Sequence, residues 1–235
     1  MLLFAASENK DNSNLPKVWH YDHCPYCVRV RVILGLKNIA HELIALPNGD
    51  EKAHTDICGK KQVPILRTSD GKIILESLDI VKYFDEFDGK SILKPHNENR
   101  PEFEKFSYDS KLTHPRFIEL GLPEFNRAVD IEYFTKKKTK DTGDFAENLE
   151  NTAALKNAQE LKLMEFGKSL PTTEQLKSTC GGINGDYWSI DDITVFPKLR
   201  SLTCVKHLIW PENMKYYVDN LAKKANINLY YDVAV

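Results

Sequence analysis

No run of apolar residues in this chain approaches the roughly 18 that carry a helix across a bilayer, so a membrane span is not expected. There is also no excess of either charge. Lys and Arg number 32 against 34 Asp and Glu in 235 residues, a formal charge of −2, so neither nucleic acid nor a membrane surface is the expected partner. The start, Met1-Leu2-Leu3-Phe4-Ala5-Ala6, is briefly apolar and then polar from Ser7 to Asn14. It lacks the basic region and long apolar core of a secretory signal, and residues 1–16 read as a mobile tail. Cysteine is scarce and odd in number: five, at positions 24, 27, 58, 180 and 204. That excludes the framework of a secreted disulfide scaffold and favours the cytoplasm. Internal repeats and low-complexity blocks are absent as well.

What is present is an ordinary globular composition, 42% apolar and 28% charged, long enough for one large or two small domains. The first half alternates short strands and helices. Lys17–Tyr21 and residues 41–46 read as strands, with a helix from Pro25 to about Lys37 between them. Residues 50–57 form a short helix ending at Gly59. Ile65–Thr68 and Lys72–Leu75 form a hairpin through Ser69-Asp70-Gly71. Ser77 reads as the N-cap of a helix running to about Phe87. The order βαβαββα predicts a mixed four-stranded sheet covered by helices, the thioredoxin layout. Residues 17–88 are therefore expected to form one domain, residues 89–101 a linker, and residues 102–235 an all-helical domain. In that second half apolar residues recur at helical spacing, as at Phe103 and Phe106, Leu155, Leu161 and Leu163, and Ile193, Phe196, Leu199 and Leu202. The run Lys136-Lys137-Lys138 reads as a solvated helix end, with a docking patch as the minor reading.

The chemistry is concentrated in Tyr21-Asp22-His23-Cys24-Pro25-Tyr26-Cys27. Cys24 falls between a strand and a helix. There, unpaired backbone N–H groups and the helix dipole favour a thiolate, and Pro25 suits the first helical position. Cys27 lies one turn later on the same face and is placed to attack a mixed disulfide formed at Cys24. Half of a zinc knuckle is the competing reading, but Cys58, Cys180 and Cys204 make no second pair at ligand spacing, so no metal is expected. His23 reads as a turn residue that tunes charge. Pro64, in Gln62-Val63-Pro64, opens a strand and reads either as an ordinary trans proline or as a cis proline baring the Val63 backbone. Glu76-Ser77 reads either as a plain helix start or as a cradle for a carboxylate and an ammonium.

Together these runs resemble the glutaredoxin 2 family, bacterial dithiol glutaredoxins with a glutathione S-transferase-like fold. Gly35-Leu36-Lys37-Asn38, Lys61-Gln62-Val63-Pro64-Ile65-Leu66 and Glu76-Ser77-Leu78-Asp79 carry the resemblance in the first half. Pro115-Arg116-Phe117, Asp191-Asp192-Ile193 and Phe196-Pro197 carry it in the second. The resemblance implies glutathione as reductant, Cys24 as nucleophile and Cys27 as resolving thiol. It implies that glutathione is held by Pro25, Tyr26, Gln62, Val63 before a cis Pro64, Glu76 and Ser77. Glutathionylated or disulfide-containing proteins are the implied substrates, and a monomer the implied state. It also implies that Ser189 caps a core helix, with Asp192 reaching back in a capping box. Two other readings stay open on residues alone: a conjugating or dehydroascorbate-reducing transferase, and a non-enzymatic scaffold of the same fold. The intact Cys24/Cys27 pair argues against both.

Overall fold

A computed structural model describes residues 14–235, so most of the expected N-terminal tail lies outside the described residues. Its last residue is not tail-like: Pro16 is buried, and its carbonyl accepts the Glu42 N–H at 2.9 Å.

The first half follows the expected order. Strand β1 (Lys17–His20) leads through helix α1 (Pro25–Leu36) to β2 (Glu42–Ala45), then α2 (Glu51–Cys58), β3 (Ile65–Arg67), β4 (Ile73–Ile74) and α3 (Ser77–Glu86). The sheet order is β2-β1-β3-β4, with β1 parallel to β2 and antiparallel to β3. The strand period of two sorts side chains between the faces. Val18 and Leu66 join the core under α1 and α3, while Trp19 and Ile65 join a smaller core that includes Ala53 and Ile57 of α2. Asp50 caps α2 by accepting the Ala53 N–H, and Gly59 closes it in the left-handed conformation. One cap differs from expectation. Glu76 occupies the N-cap of α3 without a side-chain capping bond, and Ser77 is the first helical residue.

Helix α1 is rich in β-branched residues, which lowers its intrinsic propensity. Burial compensates: Cys27, Val28, Val30, Val32, Ile33 and Leu34 are all at most 1% exposed. A helix apolar on nearly every side belongs inside a protein, and α1 is wedged between α3 and a long helix of the second half, α10 (Ile190–Leu202).

The rest is helical, with α4 (Pro101–Lys105), α5 (Ser110–Phe117), a 3-10 turn (Pro123–Phe125), α6 (Ala128–Thr142), α7 (Phe145–Glu150), α8 (Thr152–Gly167), α9 (Thr173–Ser178), then α10 and α11 (Glu212–Lys224). A two-residue pair interrupts the helices: β5 (Leu93–Lys94), within the expected linker, lies parallel to β6 (Trp188–Ser189). The Ser189 N–H donates to Asp192 Oδ2 at 2.9 Å, the reach-back expected of the capping box. Two other expectations need correction. Leu161 is 72% exposed although Leu163 is buried, because residues two apart point to different sides of a helix. Lys136-Lys137-Lys138 sits within α6 rather than at its end. Among the described residues no helix is long and apolar enough to cross a membrane.

Candidate active site

Cys24 is the N-cap of α1 in extended conformation, with Pro25 at the first helical position. Both Cys24 and Cys27 are free thiols and buried. Their surroundings pull them apart. A hydrogen bond from the Cys27 thiol lowers the Cys24 pKa against the opposing effect of burial; the charge of His23 and the N–H groups of Cys27 and Tyr26 add to the lowering, to about 7. Burial, together with the neighbouring Cys24, drives Cys27 well above the ordinary thiol range. One turn of helix thus holds a readily ionised thiol and a reluctant one. The other cysteines differ. Cys204 is buried and pushed up to about 12 by that burial, while Cys58 and Cys180 are half-buried.

The turn before Cys24 is held from the second half. Asp22 receives Arg200 Nη2 at 2.7 Å and the Tyr230 hydroxyl at 2.6 Å on Oδ1, and Arg31 Nη1 at 2.9 Å on Oδ2. Arg200 Nη1 also donates to the Asp22 carbonyl at 2.8 Å. Burial opposes ionisation of Asp22, but the two guanidinium groups outweigh it and hold the carboxyl well below the usual range. His23 is bound in turn by Glu124, whose Oε1 accepts both the His23 backbone N–H at 2.9 Å and Nδ1 at 2.6 Å. Behind Tyr21, His54 donates from Nδ1 to the Asp50 carbonyl at 2.6 Å, which leaves Nε2 to accept the Tyr21 hydroxyl at 2.6 Å.

A cleft of about 280 Å³ opens over Cys24. Pro25, Tyr26, Gln62 and Val63 line it from the first half, with Lys61 and Asn48; Tyr108, His114, Phe117, Tyr133, Phe134, Lys137 and Lys138 line it from the second. None of these lining residues is acidic. Lys61 Nζ sits 3.4 Å over the Tyr133 ring. The Val63–Pro64 bond is cis.

Of the site residues expected from sequence, Cys24, Pro25, Tyr26, Gln62 and Val63 therefore meet at one cleft. Cys27 and Pro64 are buried and do not line it. Glu76 and Ser77 do not line it: Glu76 borders a separate groove with Lys72 and Asp79. Ser77 and the neighbouring Leu75 are nevertheless tied to the site. Gln62 Nε2 donates to the Leu75 carbonyl at 3.3 Å, and Arg29, stacked on Tyr26, donates to Ser77 Oγ at 3.3 Å. Glu124, Arg200 and Tyr230 carry no signal of a role in the sequence, and nothing there ties the exposed Lys137 and its neighbour Lys138 to the cleft; no local spacing relates any of them to Cys24. Among the described residues no cluster of three His, Cys, Asp or Glu is arranged to hold a metal.

A thioredoxin-like sheet half joined to a helical half defines the glutathione S-transferase-like class. Residues 18–91 match the glutathione S-transferase N-terminal domain, and residues 103–234 match the glutaredoxin 2 C-terminal domain. A glutathione S-transferase from the Antarctic clam Laternula elliptica shares the fold at 17% identity, with a TM-score of 0.52 over 94% of this chain and 92% of that one. Glutaredoxin 2 of Escherichia coli K12 is 38% identical over 93% of this chain and all of its own length. The crystal structure of glutaredoxin 2 from Salmonella typhimurium in complex with glutathione superposes with a TM-score of 0.86 at 37% identity, covering 94% of this chain and all of that one. The chain belongs to the glutaredoxin 2 family.

Proposed function

We propose that this protein is a glutathione-dependent dithiol–disulfide oxidoreductase that reduces glutathione mixed disulfides and protein disulfides. The observation that carries the reading is the pair of opposed thiols at the start of α1, with Cys24 lowered to about 7 at the floor of a cleft. The Cys24 thiolate attacks the glutathione sulfur of a mixed disulfide. A Cys24–glutathione disulfide forms, the substrate S–S bond breaks, and the substrate leaves as a thiolate that takes up a proton. Either a second glutathione thiolate attacks this adduct and releases glutathione disulfide, or Cys27 loses its proton, attacks Cys24 Sγ and expels glutathione. Two glutathione molecules then return the Cys24–Cys27 disulfide to the dithiol.

Glutathione carries two carboxylates and one amine. Lys61, Lys137 and Lys138 supply counter-charge along an acid-free cleft. In this reading the Val63 backbone pairs with the cysteinyl part, Pro25, Tyr26, Gln62 and Pro64 shape its seat, and the γ-glutamyl end extends beyond the cleft to Glu76 and Ser77. The sheet half takes in residues 17–88, the connection 89–101 and the helical half 102–235. The protein acts as a single chain in the cytoplasm.

The test is a glutathione-coupled disulfide reduction assay. Cys24→Ser removes turnover. Cys27→Ser keeps reduction of glutathione mixed disulfides and loses that of protein disulfides. A Cys24→Ser variant with undiminished turnover overturns the reading.

A further inference from the structure

The His23–Glu124 pair lies beside the nucleophile, and no bond made or broken in the exchange involves it. Glu124 belongs to the turn Pro123–Phe125 of the helical half and is fully buried. It binds His23 twice, through the peptide N–H and through Nδ1. Its other oxygen, Oε2, is buried without a hydrogen-bond partner. The His23 ring is boxed by aromatics: it stacks on Tyr21 and Phe125 at 5.7 and 5.1 Å and meets Phe117 and Phe134 at 5.2 Å. A box of this kind disfavours an imidazolium unless a counter-charge is built into it. Glu124 is that counter-charge. With Nδ1 turned onto Glu124, Nε2 is the ring nitrogen left for the cleft that His23 lines.

We propose that Glu124 is a positioning residue for the nucleophile: it fixes the His23 ring and peptide beside Cys24 and lets His23 carry the positive charge that favours the Cys24 thiolate. The inference rests on Cys24 being the nucleophile.

The neighbours leave this role open. His20 at the end of β1 is pushed down to about 4, chiefly by burial, and His114 of α5 to about 3 by burial, Lys138 and His23. Both are neutral near pH 7. Burial raises Tyr21 and Tyr230, so they are neutral too. Tyr133 and Lys138 of α6 line the same cleft as His23, and Lys138 Nζ lies 5.9 Å over the Phe134 ring. Glu124 itself ionises below the usual carboxylate range: burial opposes this, and the bonds from His23 outweigh burial.

The sign of one substitution decides. Glu124→Gln keeps an amide oxygen for both His23 bonds but removes the charge. If the carboxylate acted on Cys24 only as a nearby negative charge, its loss would lower the Cys24 midpoint. If it acts by keeping His23 charged, its loss raises the midpoint.

The experiment follows iodoacetamide alkylation of Cys24 against pH, read by mass spectrometry, in the full chain, Glu124→Gln, His23→Gln and the double variant. The expected result for Glu124→Gln is an upward displacement of about one pH unit. Alkylation then falls about tenfold below the midpoint, with an unchanged plateau at high pH. His23→Gln should show the same displacement, and the double variant no more than either single one. An unchanged or lowered midpoint in Glu124→Gln overturns the inference. If that variant does not fold, an unchanged profile in His23→Gln overturns it instead. If the unsubstituted chain shows no alkylation at Cys24 near neutral pH, the assignment of the nucleophile fails; a normal parent profile with an unmoved Glu124→Gln profile sinks only the role of Glu124.

Discussion

Cys24 and Cys27 are the same side chain one helical turn apart, and both are buried. Their difference comes from what faces each sulfur. Cys24, ahead of the helix, receives the Cys27 thiol hydrogen bond, the His23 charge and the free N–H groups of the first turn, whereas Cys27 lies within α1 and meets burial and a neighbouring sulfur. A pH dependence follows. A thiol whose pKa is lowered to about 7 is protonated below that pH, so the rate of the first exchange should rise through pH 7 and level off above it. Each unit below costs about tenfold. Stopped-flow reduction of a glutathione mixed disulfide checks this, and a rate still climbing tenfold per unit well above pH 8 would contradict it. The motif Cys-Pro-Tyr-Cys was legible because spacing within a turn is a local matter. The identity of the Cys24 neighbours was not, because Glu124 lies 101 residues from His23.

Helix α1 shows how an element is determined jointly by its own residues and by its neighbours. Its start was legible from Cys24-Pro25 at a strand–helix junction. Its tolerance of four β-branched residues was not, since that depends on burial by α3 and α10. Gly35 has a comparable explanation. A Cβ there would lie 1.9 Å from the Ala225 carbonyl oxygen, which follows the end of α11. The glycine lets backbones of the two halves touch. Gly35→Ala is therefore expected to cost about 1–3 kcal/mol, through strain where the two backbones meet. A urea denaturation midpoint equal to that of the parent would show that the contact yields freely. At the same scale, β5 and β6 escaped sequence reading because two-residue strands far apart in the chain, unlike β4 with its hairpin turn, leave neither alternation nor turn residues to detect, and the N-cap of α3 shifted by one residue because Glu76 and Ser77 are both compatible with a helix start.

Across the whole molecule the two halves share one apolar core, in which Val28, Ile33 and Phe84 of the sheet half join Ile193, Phe196 and Tyr217 of the helical half. The Asp22–Arg200–Tyr230 cluster crosses the same boundary. Halves that share a core should unfold together. Trp19 reports on the sheet half, and Trp188 and Trp210 on the helical half. In variants keeping one reporter each, urea transitions read by fluorescence are expected to coincide, with a solution mass of one chain. Separated midpoints would mean that the interface is weaker than this continuity implies.

The sequence by itself determined the element order of the first half, the helical character of the second and the thiol pair at a helix start. Strand alternation, helix periodicity, turn residues and caps act within a few neighbouring residues, so they can be read along the chain. Only the tertiary structure decided what surrounds the thiols: the Glu124 carboxylate on His23, the Arg200 guanidinium on Asp22 from 178 residues away, and the α6 lysines at the cleft. Charge and burial act through space, and the path that brings distant groups within hydrogen-bonding reach is set by how the whole core packs.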